Sequence, residues 1–133
     1  MKFNDLKNHD LLKDKEISEY CKLGEITESC NKDKFKYRGV YILVDNDDVV
    51  YIGSAYARNV RDRLLQYQQT QNSGNSSLYS DLIEGNKCTK DVAYKYIKSL
   101  TAYAFYDESL EYKLIKCCDS AVNIAGTKEE SHD

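Results

Sequence analysis

The chain of 133 residues is 41% hydrophobic and 31% charged with a net charge of −3, the composition of one small globular domain and not of a disordered or fibrous chain. No apolar run approaches the ~20 residues needed to span a bilayer, and the N-terminus lacks a signal peptide's apolar core, so a cytoplasmic protein without a membrane partner is expected. Five cysteines without a Cys-x-x-Cys pair argue against a zinc site and against a complete disulfide framework.

Along the chain, Leu11, Leu12, Ile17 and Tyr20 among charges predict a short amphipathic helix over His9–Cys21 within a helical arm covering residues 1–37. Such an arm covers an edge or open face of a small sheet, or serves as an oligomerisation or DNA-contacting element. Val40–Val44 and Val49–Ile52 are β-branched and aromatic runs on either side of Asp45–Asp48, which predicts a tight β-hairpin with Tyr41 and Tyr51 at matched places on its arms. Ser54–Tyr67 turns helical and sets Arg63 and Tyr67 one turn apart on one face.

The polar stretch Gln66–Ser77 reads as a loop, with Ser76 or Ser77 capping a short helix through Gly85. Asp91–Lys98 alternates, with Val92, Tyr94 and Tyr96 on one side, and predicts a third strand. Asp107 caps a last helix whose buried stripe is Leu110, Leu114, Ile115 and Cys118, with Glu111 at the margin of that stripe. A polar tail follows from 127 to 133. The expected class is α/β (α+β): a three-stranded mixed or antiparallel sheet flanked by helices.

The order Gly39-Val40-Tyr41, then Tyr51-Ile52-Gly53, then Arg63 followed four residues later by Tyr67, resembles the GIY-YIG nuclease superfamily. Glu111 in the last helix and Asn123 in the segment after it fall where that family carries its metal-binding glutamate and a supporting asparagine, so the resemblance covers residues 38–126. Tyr67 in place of the more usual histidine is similar to restriction enzymes and the phage endonuclease II group. Ser54-Ala55 and Asn75-Ser76-Ser77 are more similar to the homing-endonuclease branch. Two extra residues separate Gly53 from the arginine, so Arg58 and Arg61 stand as alternatives to Arg63.

The resemblance implies a Mg²⁺-dependent (or Mn²⁺-dependent) DNA endonuclease in a bacterial cell or phage-infected host. In that reading Glu111 holds the metal, Arg63 stabilises the scissile phosphate, and Tyr41, helped by Tyr51 or Tyr67, activates or orients water. Gly53, Ser54, Arg58, Arg61, Asn75, Ser76 and Asn123 are expected on the DNA side. The chain's two histidines, His9 and His132, lie near its ends, which leaves water activation to a tyrosine, a lysine or a metal-bound hydroxide. A single carboxylate suffices for Mg²⁺, which keeps several waters and takes substrate phosphate oxygens.

A pI near 5.4 opposes strong stand-alone DNA binding, because nonspecific affinity comes mainly from Lys and Arg on phosphates. Clustering of Arg58, Arg61 and Arg63 offers a basic face on an acidic body, and a homo-oligomer would enlarge it. The alternatives are a non-catalytic nucleic-acid-binding module on the same scaffold, or a nuclease for RNA or branched DNA.

Overall fold

The computed structural model describes residues 2–55, 57–66, 89–107, 109–110 and 113–114. Its core is a four-stranded antiparallel sheet in the order β1-β4-β2-β3, built from β1 (Glu19–Lys22), β2 (Gly39–Asp45), β3 (Asp48–Ala55) and β4 (Thr101–Phe105). The class is therefore α+β with one strand more than the sequence predicts, and every strand pair is antiparallel.

β2 and β3 form the expected hairpin, closed by Asn46 and Asp47, with Asn46 in the left-handed region at φ 57°. Asparagine tolerates that conformation better than most residues, so the turn chemistry and the strand pattern agree. A register shift between Leu43 and Val44 sets Leu43 opposite Tyr51 and Val44 opposite Val49. Tyr41 lies opposite Gly53, so the two hairpin tyrosines are diagonal neighbours on one face and not a directly matched pair.

β2 is buried along nearly its whole length because the sheet is covered on both sides. On the first face Tyr41, Leu43 and Tyr51 pack with α2 (Val60–Gln66) through Val60 and Leu64, and with α3 (Lys90–Ser99) through Ala93 and Ile97. On the second face Val40, Ile42 and Ile52 pack with Phe3 and Leu6 of α1 (Phe3–Lys7), with Leu12, and with Leu110 and Leu114.

Two predicted elements are corrected. Residues 91–98 are helix, not strand: Thr89 accepts a hydrogen bond from the Val92 amide at 3.3 Å, and Ala93, Ile97 and Leu100 fall at i, i+4 and i+7 on the buried side. Val92, which the alternating reading sets on one side with Tyr94 and Tyr96, is 53% exposed. The third strand of the central sheet is instead Thr101–Phe105, where Ala102 and Ala104 face the first layer and Phe105 the second.

The helix expected over His9–Cys21 does not form. Turns occupy that region, and Glu19–Lys22 becomes the edge strand β1 beside β4. The N-terminal segment thus covers one edge and one open face of the sheet, the edge with a strand and the face with Phe3, Leu6 and Leu12. Asp107 accepts from the Ser109 amide at 2.9 Å, as a helix cap does, and Leu110 and Leu114 are buried as predicted; Ile115 and Cys118 lie outside the described residues.

Candidate active site

Of the site residues singled out in the sequence, Tyr41, Gly53, Ser54, Arg58 and Arg63 lie toward the end of the sheet where β2 begins and β3 ends, with Gly39 opposite Ala55 and Val40 opposite Ser54. A Cβ on Gly53 would stand 2.5 Å from the Cζ and hydroxyl of Tyr41 and 2.9 Å from Tyr51. The phenol end of Tyr41 therefore lies directly on the Gly53 backbone, an approach that no other residue at position 53 permits without displacement. The two tyrosine rings stack at a centroid distance of 6.2 Å and an interplanar angle of 26°. Tyr41 is wholly buried and Tyr51 nearly so, and neither lines the cleft at this end of the sheet.

The cleft, of about 250 Å³, is lined by Ser54 and Ala55 at the end of β3, Arg58 and Asn59 before α2, and Asp62, Arg63 and Gln66 within it. The helix begins later than the sequence reading has it, because β3 continues through Ala55; Ser54 belongs to the strand and Arg58 precedes the helix. Asn59 caps α2 by accepting from the Asp62 amide at 2.8 Å. Arg63 reaches Gln66 Oε1 at 3.2 Å from one terminal nitrogen, and its Nε is buried. Arg58 is largely exposed, 4.0 Å from Asp62, an arrangement worth little as an ion pair.

Arg61 is differently employed. Its guanidinium donates to the carbonyls of Asn31 at 2.9 Å, Lys34 at 3.2 Å and Ile26 at 2.9 Å, away from the cleft. Its backbone amide donates to Phe35 O at 2.6 Å, and that of Val60 to Tyr37 O at 2.9 Å. These five bonds hold the segment 26–37 against the start of α2. Of the three arginines, Arg61 has a structural duty, whereas Arg58 and Arg63 line the cleft. No signal in the sequence separates these duties, because all three stand within six positions of one another and the carbonyls Arg61 satisfies lie about 30 residues upstream.

Tyr106 follows β4 at the same end. Burial, and next the Glu19 carboxylate to which it donates, push its phenol far above the ordinary value and keep it protonated. Glu19 also accepts from the Phe35 amide, and Phe35 sits at φ 68°, a left-handed conformation uncommon for an aromatic residue and held here by bonds on both its amide and its carbonyl.

Tyr67, Asn75, Ser76, Glu111 and Asn123 lie outside the described residues. Within the cleft the described carboxylate is Asp62, and among the described residues no three carboxylate, imidazole or thiol side chains come together around a common point. The described residues alone thus do not compose a metal centre. No helix among them is long and apolar enough to cross a membrane.

Fold and site together define an antiparallel α+β domain with a two-arginine cleft at one end of its central hairpin. Compared with known proteins, the chain matches no protein-family profile, no curated protein and no solved structure.

Proposed function

We propose that the chain is a metal-dependent endonuclease of the GIY-YIG type acting on double-stranded DNA, in a restriction-like or mobile-element role, with a GIY-YIG-like hairpin as its catalytic scaffold. One observation carries the reading: Tyr41, Gly53 and Arg63, which the motif resemblance picks out from three separate stretches, share one end of one sheet. The Gly53–Tyr41 contact gives the second motif's glycine a physical necessity.

In this reading Arg63 meets the scissile phosphate. A buried guanidinium stem with its head in a cleft is pre-organised to neutralise charge developing on a phosphoryl group. Arg58, more exposed, meets a neighbouring phosphate. Tyr41, Tyr51 and Tyr67 are assigned the orienting of the attacking water. Asn75, Ser76 and Asn123 are assigned to the DNA side. Glu111 is the assigned ligand of Mg²⁺ or Mn²⁺, and a bound divalent ion would supply Lewis-acid stabilisation of the phosphoryl and leaving oxygens. A homo-oligomer that pairs two such sites accounts for cutting both strands.

The full burial of Tyr41 favours a competing reading, in which the scaffold binds nucleic acid without turnover. Supercoiled plasmid incubated with the protein in Mg²⁺ or in EDTA separates the two. Nicked or linear product that requires both the metal and intact Arg63 and Glu111 supports the nuclease. Retention of DNA without cutting supports the binding module.

A further inference from the structure

We infer that Tyr37 and Arg38 form a second nucleic-acid contact beside the cleft, in which Arg38 meets a backbone phosphate and Tyr37 stacks on an unpaired base next to the cutting site. The inference rests on the nuclease reading and deepens its substrate class toward DNA with a single-stranded stretch at the cut.

Tyr37 is 64% exposed, and with Tyr20 it is one of two large aromatic side chains left in solvent among the described residues. It is nonetheless held: its ring packs against Tyr106 at 5.2 Å, tilted by 59°, and its carbonyl accepts from the first residue of α2. Tyr106 is itself anchored by Glu19. An exposed ring on a fixed support loses little freedom on stacking, the economy that aromatic platforms for single strands exploit. Arg38 is exposed and makes no ion pair among the described residues, whereas its neighbour Lys36 is paired with Asp33 at 2.9 Å.

Position joins the two residues to the cleft. Arg38 immediately precedes Gly39, which is opposite Ala55, a residue of the cleft wall. The bond from Val60 to Tyr37 O brings the same segment to the start of α2, two residues after Arg58. Arg38, Arg58 and Arg63 thus stand around one end of the sheet, with Asp62 the described carboxylate of the cleft, on a chain of net charge −3, and Tyr37 adjoins Arg38 there.

The test uses the full chain in EDTA, with fluorescence anisotropy on a labelled blunt duplex and on the same duplex carrying a single-stranded extension. Wild type is expected to prefer the extended duplex. Tyr37→Ala should lose about tenfold on the extended duplex only, as one base stack is worth, while Tyr37→Phe keeps wild-type affinity. Arg38→Gln should weaken both duplexes and lower the salt slope by about one unit. If wild type binds but all three variants match it on both probes, this inference fails and the nuclease reading stands. If wild type binds neither duplex in EDTA and cuts no plasmid in Mg²⁺, that reading fails and takes the inference with it.

Discussion

The hydroxyl end of Tyr41 rests on the α-carbon of Gly53, directly across the β2–β3 ladder, so closely that a methyl group at position 53 would come within 2.5 Å of it. Tyr41 is fully buried between the sheet and the α2–α3 layer, so its ring must shift within packed surroundings to admit that methyl group. Gly53→Ala should therefore cost about 1 to 3 kcal/mol, the usual penalty of overpacking, even though β3 has extended geometry at that point. Urea unfolding monitored by tyrosine fluorescence checks this; a variant as stable as wild type would show that the ring shifts freely.

Arg61 and Arg58 are three residues apart and should behave oppositely. Arg61→Met keeps the aliphatic stem but leaves the carbonyls of Ile26, Asn31 and Lys34 without their charged donor, at a cost of at least ~2 kcal/mol. Arg58→Ala removes an exposed side chain with a 4.0 Å ion pair and should change stability by less than ~0.5 kcal/mol. Equal midpoints for both variants in denaturant titrations would contradict the clamp.

Arg63→Ala should fold normally, because the side chain opens into the cleft, and lose plasmid cleavage by about 100-fold or more if the arginine stabilises the phosphoryl transition state. Arg63→Lys should recover part of the charge but not the planar two-pronged geometry, leaving cleavage between wild type and alanine. Initial rates at saturating Mg²⁺ with matched circular dichroism spectra decide the matter. Cleavage unaffected by Arg63→Ala would move the phosphate role to Arg58.

Tyr96 ties α3 to the hairpin by donating to Asp45 at 3.0 Å, and burial first, then that carboxylate, push its phenol up to about 12. An unfolded tyrosine titrates near ~10. Between these two values the folded chain holds a proton that the unfolded chain has released. The stabilisation is complete below about pH 10 and is lost as pH rises toward 12. Tyr106 acts in the same direction. Tyr96→Phe should therefore be less stable than wild type at neutral pH but decline less steeply above pH ~10, in unfolding midpoints measured across that range.

Much of this arrangement was legible in the sequence where local pattern and tertiary need coincide. The hairpin announced itself because β-branched runs, a polar turn and two bracketing glycines all select one structure. The cap at Asp107 and the burial of Leu110 and Leu114 after it are legible for the same reason. The segment 91–98 was misread because Val92, Tyr94 and Tyr96 alternate like a strand, while the helical set Ala93, Ile97 and Leu100 includes an alanine that carries little hydrophobic signal. Thr101–Phe105 carries little strand signal because its inward residues on the first face are the small Ala102 and Ala104. The clamp of Arg61 and the propping of Tyr37 by Tyr106 join residues that are far apart in the chain, and single-sequence periodicity does not reach them.

The N-terminal 37 residues read as an appendage, but their contacts argue that the domain needs them. β1 covers the outer edge of β4, Phe3, Leu6 and Leu12 close the second face, and Arg61 draws on carbonyls at 26, 31 and 34. Burying each of those three apolar side chains contributes roughly 1.5 to 3 kcal/mol, which together rivals the whole stability of a small domain. A chain starting at Arg38 should thus fail to fold cooperatively, showing dye-binding apolar surface and no sharp thermal transition. Cooperative melting of that shortened chain would establish the segment as a separable arm, and would return the clamp on Arg61 to a surface detail.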